Sequence, residues 1–448
     1  MRKLALHWQI LIAITLAVIV GYIVNQITTV VWVDGIVDGI IDQDATDAAR
    51  PSLFGIAYVS IFDYIGTLFM NGLKMIIVPL ITSSIIIGVA SIGSSGNLGA
   101  LGGKTLLFYA TTTLAAILVG LMIINVVGPG YGEDVDGASV KAQLDLVDPP
   151  EDLSSKIEGR GVGDVAAVFH RMVPPNIVKA ASEGQMLGLI FFAILFGYFM
   201  THLENQYAEP LYNFWNGVFH VMMKMTEWIM LFAPIGVFGL VAKVVAGTGF
   251  AAAGPLATFS MAVLAALGVH AFVTLPLLLR FVGRVNPWKT IRGASPAMLT
   301  AFSTASSSAT LPITMDSVEE NLGVSNKISS FVLPLGATVN MNGTALYECA
   351  AALFIAQAYG LDLTLAVQFT IVLIALLTSI GVAGVPSASL VAITIILVAV
   401  GLPAEAIGPL FVFDRILDMA RTSINIWGDC CCATIVARLE GEETKVAL

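Results

Sequence analysis

The chain has 448 residues, of which 57% are hydrophobic and only 12% charged, where ordinary soluble domains carry about a quarter charged residues. Its apolar residues fall in blocks of the roughly 20 residues that cross a bilayer as a helix, and the strand alternation of a membrane barrel is absent. A net charge of −10 and the lack of any basic run argue against a nucleic-acid partner.

The first span covers about Trp8–Val24; a small-x-small cleavage site is not evident there, so it reads as a helix rather than a signal peptide. An acidic loop (Asp34, Asp38, Asp42, Asp44, Asp47) leads to Pro51, and a long apolar segment covers about Ile56–Ile92. The turn SSGNLGALGGK precedes a third span, Thr105–Val127, and a polar stretch with paired prolines runs from Pro129 to Val173. Spans four to six are about Gln185–Thr201, Phe214–Val245 with Pro234 inside it, and Pro255–Phe281. Arg2, Lys3, Lys104, Arg280, Arg284, Lys289, Arg292, Arg438 and Lys445 then belong in the cytoplasm by the positive-inside rule, with both termini. The 34–47 and 129–173 loops lie outside. Lys74, Lys224 and Lys243 read as snorkelling or paired, and Trp215, Trp228 and Trp288 as interface anchors.

Beyond Arg292 the pattern changes. Ala294–Ser303 is too short to span and is followed by the polar tip Ser303–Thr310, Pro312 and a short arm, Ile313–Asn321. This is a re-entrant hairpin entering from the cytoplasm. Ile328–Ala358 is long enough to span but is interrupted by TVNMNGT, Thr338–Thr344. Leu363–Ile380 and Leu390–Val400 flank a second tip, GVAGVPSAS, which reads as a hairpin from outside. The fold is therefore an all-α polytopic membrane protein with eight transmembrane helices plus two re-entrant helical hairpins. Hairpin plus broken helix, repeated from opposite sides, is the inverted-repeat pattern of secondary transporters. Non-helical backbone at that depth survives only in a protein interior or a cavity.

The last span holds the densest polar pattern. At roughly 100° per residue, Asp414, Asp418, Arg421, Thr422, Asn425 and Asp429 share one arc of a helix. Ile416, Leu417, Met419, Ala420, Ile424, Ile426 and Trp427 fall on the other side. Intramembrane charges are costly and mark a pathway or paired partners, which leaves a binding site or an interhelical ion-pair network. Ser306, Ser307 and Ser308 either cap the second hairpin arm or bind a carboxylate through hydroxyls and backbone N–H groups. A serine hydrolase would need a base nearby, and no histidine follows His270. The amide oxygens of Asn340 and Asn342, with the carbonyls freed at Gly336 and Thr338, suit a hard cation, with Asp429 as its charge. Glu348 has either a basic partner or a carried proton. Cys430, Cys431 and Cys432 point in different directions on a helix and read as packing residues, as does Cys349.

With SSSATLPIT, LPLGATVNMNGTALYE, AGVPSASL and DMARTSINIWGD in that order, the chain resembles the dicarboxylate/amino acid:cation symporter family over nearly its whole length. The resemblance implies a homotrimer and an elevator mechanism. Residues 1–104 and 174–250 (spans 1, 2, 4 and 5, with the 129–173 loop) would form the fixed scaffold. Residues 105–128 and 251–448 would form the moving transport domain, with hairpins at about 294–321 and 363–400. It also implies that Arg421, helped by Thr344, pairs with a substrate side-chain carboxylate and Asp418 with its amine. Asn425 and Ser307 would hold the α-carboxylate, and Val385 and Ser389 the outer gate. One sodium would lie among Gly336, Asn340, Asn425 and Asp429, and a second among the backbone oxygens of Thr338, Ser379, Ile380 and Val382. A third would lie near Tyr109, Thr112, Thr113, Asn340 and Asn342. Glu348 matches the family's proton-carrying position.

Three residues depart from the family pattern. Asn342 stands where Asp is usual, removing a charge from the third sodium site. Ser389 replaces a glycine, and Ala305 an arginine of the archaeal relative. Counting charges, a C4-dicarboxylate would strand Asp418 and a neutral amino acid would strand Arg421, each at a cost of several kcal/mol. The expected activity is sodium-coupled import of L-aspartate or L-glutamate across the plasma membrane, with two or three sodium ions, no organic cofactor and no enzymatic step. The competing readings are a proton- or sodium-coupled C4-dicarboxylate carrier and a substrate-gated anion channel.

Overall fold

The computed structural model describes residues 6–34, 36–37, 40–41, 52–53, 56–93, 99–131, 140–141, 144, 173–182, 186–251, 253–361, 363–379 and 388–448. Helix α1 (Leu6–Asp34) outruns its expected end because QITTVVWV continues the apolar run. Two antiparallel pairs of two-residue strands follow, β1 (Ile36–Val37) with β2 (Ile40–Ile41) and β3 (Ser52–Leu53) with β4 (Ile56–Ala57), so the chain is helical but not purely so. Next come α2 (Tyr58–Gly93), α3 (Gly99–Val127), α4 (Ile177–Ser182) and α5 (Met186–Met200).

The expected fifth span is two helices. α6 (Asn205–Met230) ends, and α7 (Ala233–Thr248) begins after Leu231 and Phe232. Pro234 sits in the first turn of α7, where its missing N–H costs nothing, rather than inside a continuous helix. Helix α8 (Ala253–Phe281) is one rod containing a π-helical turn at His270–Thr274. Hairpin one is α9 (Pro287–Thr304) and α10 (Ser307–Asp316), the latter prolonged by a π turn, Ser317–Leu322. α9 starts before Arg292 because the Asn286 side chain caps the N–H groups of Trp288 and Lys289. The tip is Ala305 and Ser306, far tighter than the expected Ser303–Thr310.

The broken span is α11 (Asn326–Val339) and α12 (Asn342–Ala358), separated by Asn340 and Met341. The second hairpin's arms are α13 (Leu365–Ser379) and α14 (Ala388–Val400). Its expected tip, with Ile380, Val382 and Val385, lies outside the described residues. A 3-10 turn (Ala404–Leu410) leads into α15 (Phe411–Leu439).

Leu101–Val127 and Ala253–Phe281 are each long and apolar enough to cross a membrane alone. Exposed faces are apolar: Ile12, Leu16, Ile19 and Ile23 on α1, and Phe272, Leu277 and Phe281 on α8. Apolar surface of that extent suits lipid rather than water. Helices α5 and α6 pack on α2, and α7 packs on both α1 and α2. α3 packs on α8 and α12, while α15 is enclosed by α9, α11 and α12. Trp427, Cys430, Cys431 and Cys432 pack with Val332 and Leu333 inside this group, and all four cysteines are free and buried. The chain end straps this group together. Glu440 pairs with Lys104 at 2.6 Å, Glu442 accepts the Ser325 hydroxyl and N–H, and the Lys445 N–H donates to the Leu322 carbonyl.

At the hairpin tip Ala305 closes α9 in the left-handed region, φ 50° and ψ 38°. An L-residue with a Cβ is strained there by about 1 kcal/mol relative to glycine. An Ala305→Gly variant is expected to raise the thermal midpoint in detergent modestly, and Ala305→Val to lower it. A rise with valine would remove the strain argument.

Candidate substrate and cation site

The α15 stretch before Gly428 lacks glycine and proline, and its polar residues recur at three- and four-residue steps. Asp414, Asp418, Arg421, Thr422, Asn425 and Asp429 are all buried, as the shared arc required. The opposite face is less uniform than expected. Ile416 is exposed, but Leu417, Ile426 and Trp427 are buried, because neighbours enclose the second half of the helix on all sides.

Within the arc Arg421 is already occupied. Its two terminal nitrogens each donate to Asp414 Oδ1 at 3.1 Å, and one also donates to Asp418 Oδ1 at 2.9 Å. Its guanidinium lies 3.9 Å from the ring centroid of Tyr347 on α12, a desolvated cation–π contact. Arg415, a residue the arc left out, reaches Asp418 Oδ2 at 3.5 Å. That pair corrects the charge count made from sequence: a ligand without an amine does not leave Asp418 without a cation. The signal was available, since Arg415–Asp418 and Asp418–Arg421 are both i,i+3 pairs.

The helix break is stitched to α15 by asparagines. Asn340 Nδ2 donates to the Asn425 carbonyl at 3.0 Å and to Asp429 Oδ1 at 2.8 Å. Asn425 Oδ1 accepts the Gly343 N–H at 2.8 Å, and its Nδ2 donates to Thr344 Oγ1 at 3.1 Å. Asn425 Nδ2 also lies 3.3 Å from Met341 Sδ. Gly336 faces Asp429 and Tyr109 so closely that a Cβ would stand 2.3 Å from the carboxylate and 2.4 Å from the hydroxyl. Its carbonyl is not free, however, because it accepts the Asn340 N–H at 2.8 Å as an ordinary helix bond. The side-chain oxygens of Asn340 and Asn342 are buried without a hydrogen-bond partner. Such oxygens carry a desolvation cost that a cation would relieve.

The remaining candidates divide. Ser306 caps α10, accepting the Ala309 N–H at 3.2 Å; Ser307 is buried at the start of that helix and Ser308 is exposed. Thr422 Oγ1 donates back to the Asp418 carbonyl at 2.8 Å, and Thr112 and Ser379 likewise bond within their own helices. Thr113 and Thr344 are buried, and Tyr109 donates to the Val332 carbonyl at 3.0 Å. Ser389 is buried with its hydroxyl unpartnered. The Thr338 side chain lies outside the described residues. Glu348 is fully buried and takes its hydrogen bond from Thr378 Oγ1 at 3.1 Å, on the second hairpin, while its other oxygen has no partner. Among the described residues no arginine or lysine forms an ion pair with it. Lys243 is paired, with Asp63 at 3.0 Å. No group of three His, Cys, Asp or Glu residues among those described is arranged to hold a metal ion.

A discontinuous helix beside two half-length hairpins, with buried charges and orphan oxygens at the break, defines a helical secondary transporter. A profile of the sodium:dicarboxylate symporter family matches residues 6–439, and the chain belongs to that family. It is 36% identical over 384 residues to the proton/glutamate-aspartate symporter of Escherichia coli, covering 85% of this chain and 86% of that one. It is 34% identical over 442 residues to the proton/sodium-glutamate symport protein of Geobacillus stearothermophilus, covering 99% and 96%. Excitatory amino acid transporter 3 of Mus musculus is 35% identical over 421 residues, covering 86% and 80%.

Proposed function

We propose that the protein is a secondary active symporter that imports L-aspartate or L-glutamate, driven by sodium and, through Glu348, by protons. One observation carries the reading: a buried arginine, Arg421, held among the described residues only by carboxylates of its own helix and a ring face. Its planar fork matches a carboxylate bidentately. A substrate carboxylate takes the place of Asp418 on that fork, and the substrate amine then supplies Asp418 with a new cation. The exchange conserves ion pairs at each step. Family membership and the names of the relatives support the same substrate class.

In this reading Ser306, Ser307, Ser308, Thr344, Thr422, Asn425, Val385 and Ser389 complete the substrate site. Sodium ions sit at Asn340, Asn425 and Asp429, and at the end of α13. The protein works as a homotrimer with both termini cytoplasmic, α3 and α8–α15 moving against α1, α2 and α5–α7.

The test is radiolabelled L-aspartate uptake into proteoliposomes, with sodium, proton and potassium gradients imposed singly. Uptake that requires inward sodium and vanishes in Arg421→Ala supports the proposal. Uptake indifferent to sodium but driven by protons and lost in Glu348→Gln removes the sodium sites from it. The Arg415–Asp418 pair favours one second reading, a C4-dicarboxylate carrier. Succinate competing as strongly as aspartate would select it.

A further inference from the structure

The π turn in α8 has a local cause. Leu275 donates to the His270 carbonyl, an i→i−5 bond, and the next donor in that register is Pro276, which has no N–H. The Ala271 carbonyl it would have served is taken instead by the Trp427 indole N–H at 3.0 Å. The turn is thus locked to α15, and it aims the His270 side chain into the interior. His270 is fully buried, and its Nε2 lies 3.4 Å from Asn342 Nδ2. The amide of Asn342 lies over Gly428, where a Cβ would stand 2.8 Å from Asn342 Nδ2, 3.0 Å from its Oδ1 and 2.8 Å from Asn340 Nδ2. Asn342 Oδ1, like Asn340 Oδ1, is buried with no partner. This geometry has no counterpart in an aspartate, whose two oxygens are equivalent. An amide has one oxygen, and something must decide which way it faces.

We infer that His270 is a positioning residue for cation binding: its Nε2 lone pair takes the Asn342 N–H, so that the single amide oxygen is presented to a cation beside Asn340. An N···N contact is a hydrogen bond only with one nitrogen as acceptor, and the imidazole gives its Nε2 lone pair as the tautomer protonated at Nδ1, an atom buried without a partner among the described residues. With that side engaged, Oδ1 is the amide atom left to meet a ligand. Without it, the amide can turn and offer N–H groups, which repel a cation. The inference rests on sodium coupling as proposed above and assigns a role to a histidine on a different helix from every other residue in the cation set.

The test reads sodium alone. Purified wild-type protein is titrated with sodium, without substrate, against a choline background, following tryptophan fluorescence and the sodium-dependent rise in thermal midpoint. His270→Leu, which fills the space without an acceptor, is expected to raise the half-saturating sodium concentration about tenfold or more, as loss of an outer partner does at metal sites. His270→Gln, whose carbonyl oxygen accepts the same N–H, is expected to restore most of it. In an Asn342→Ala background His270→Leu is expected to add no further shift, since the two act through one contact. Equal sodium curves for wild type and His270→Leu, loss in the glutamine variant as large as in the leucine variant, or additive shifts in the double variant would each overturn the inference. Absence of any sodium response in the wild type would overturn the sodium coupling itself, and this inference with it. Should His270→Leu fail to fold, His270→Phe, which likewise fills the space without an acceptor, takes its place with the same expected and overturning results.

Discussion

An Arg421→Ala variant is expected to lose aspartate uptake entirely and to have a lower thermal midpoint even without substrate. The two losses have one origin. Arg421 is fully buried and is the only cation at hydrogen-bonding distance from Asp414 among the described residues; it also bonds Asp418. Removing it strands carboxylates in a low-dielectric interior, a change that costs about 3–5 kcal/mol where one partner of a buried pair is deleted. It also removes the fork that would receive a substrate carboxylate. Arg421→Lys separates the two contributions. It keeps the charge but not the bidentate geometry, so stability should largely return while aspartate affinity stays at least about tenfold weaker, or about 1.4 kcal/mol. Differential scanning fluorimetry and binding isotherms on the same preparations make the comparison. Full aspartate affinity in the lysine variant would falsify the role given to the guanidinium fork.

The second large effect concerns Asp429 and has the opposite sign for stability. Its carboxylate is buried beside Asn340 Nδ2 and the Tyr109 hydroxyl, and no cationic side chain among the described residues pairs with it. A buried carboxylate without a counter-charge is costly until a cation arrives. Asp429→Asn is therefore expected to leave the sodium-free protein as stable as the wild type or more so, and to abolish most of the sodium-dependent stabilisation. That stabilisation would be about 2.7 kcal/mol at a sodium concentration a hundred times the dissociation constant. Midpoints measured in choline and in sodium distinguish the cases. A sodium-induced rise of wild-type size in Asp429→Asn would show that Asp429 is not the charge of a cation site.

Much of the fold is legible in the residues themselves. The helical membrane class follows from apolar run length, because a bilayer demands it of any sequence. The broken span was visible as NMNGT inside an apolar run, and it breaks at Asn340 and Met341. The α15 arc follows from 3.6-residue periodicity. What failed did so where neighbouring residues compete locally. Pro234 could sit inside a kinked helix or start a new one, and the chain starts a new one. The expected tip, Ser303–Thr310, shrinks to Ala305 and Ser306, because both arms stay helical up to the Ala305 reversal and the Ser306 cap.

Run length and periodicity are enough to say that this protein lives in a membrane and buries six polar residues on one side of its last helix. Periodicity and run length are local, and they survive any arrangement of neighbours. Packing between helices set the pairings of Arg421 with Tyr347, Glu348 with Thr378, and His270 with Asn342. The last of these joins residues 72 positions apart. Partners so placed are set by which helices touch and at what height, information that no single helix carries.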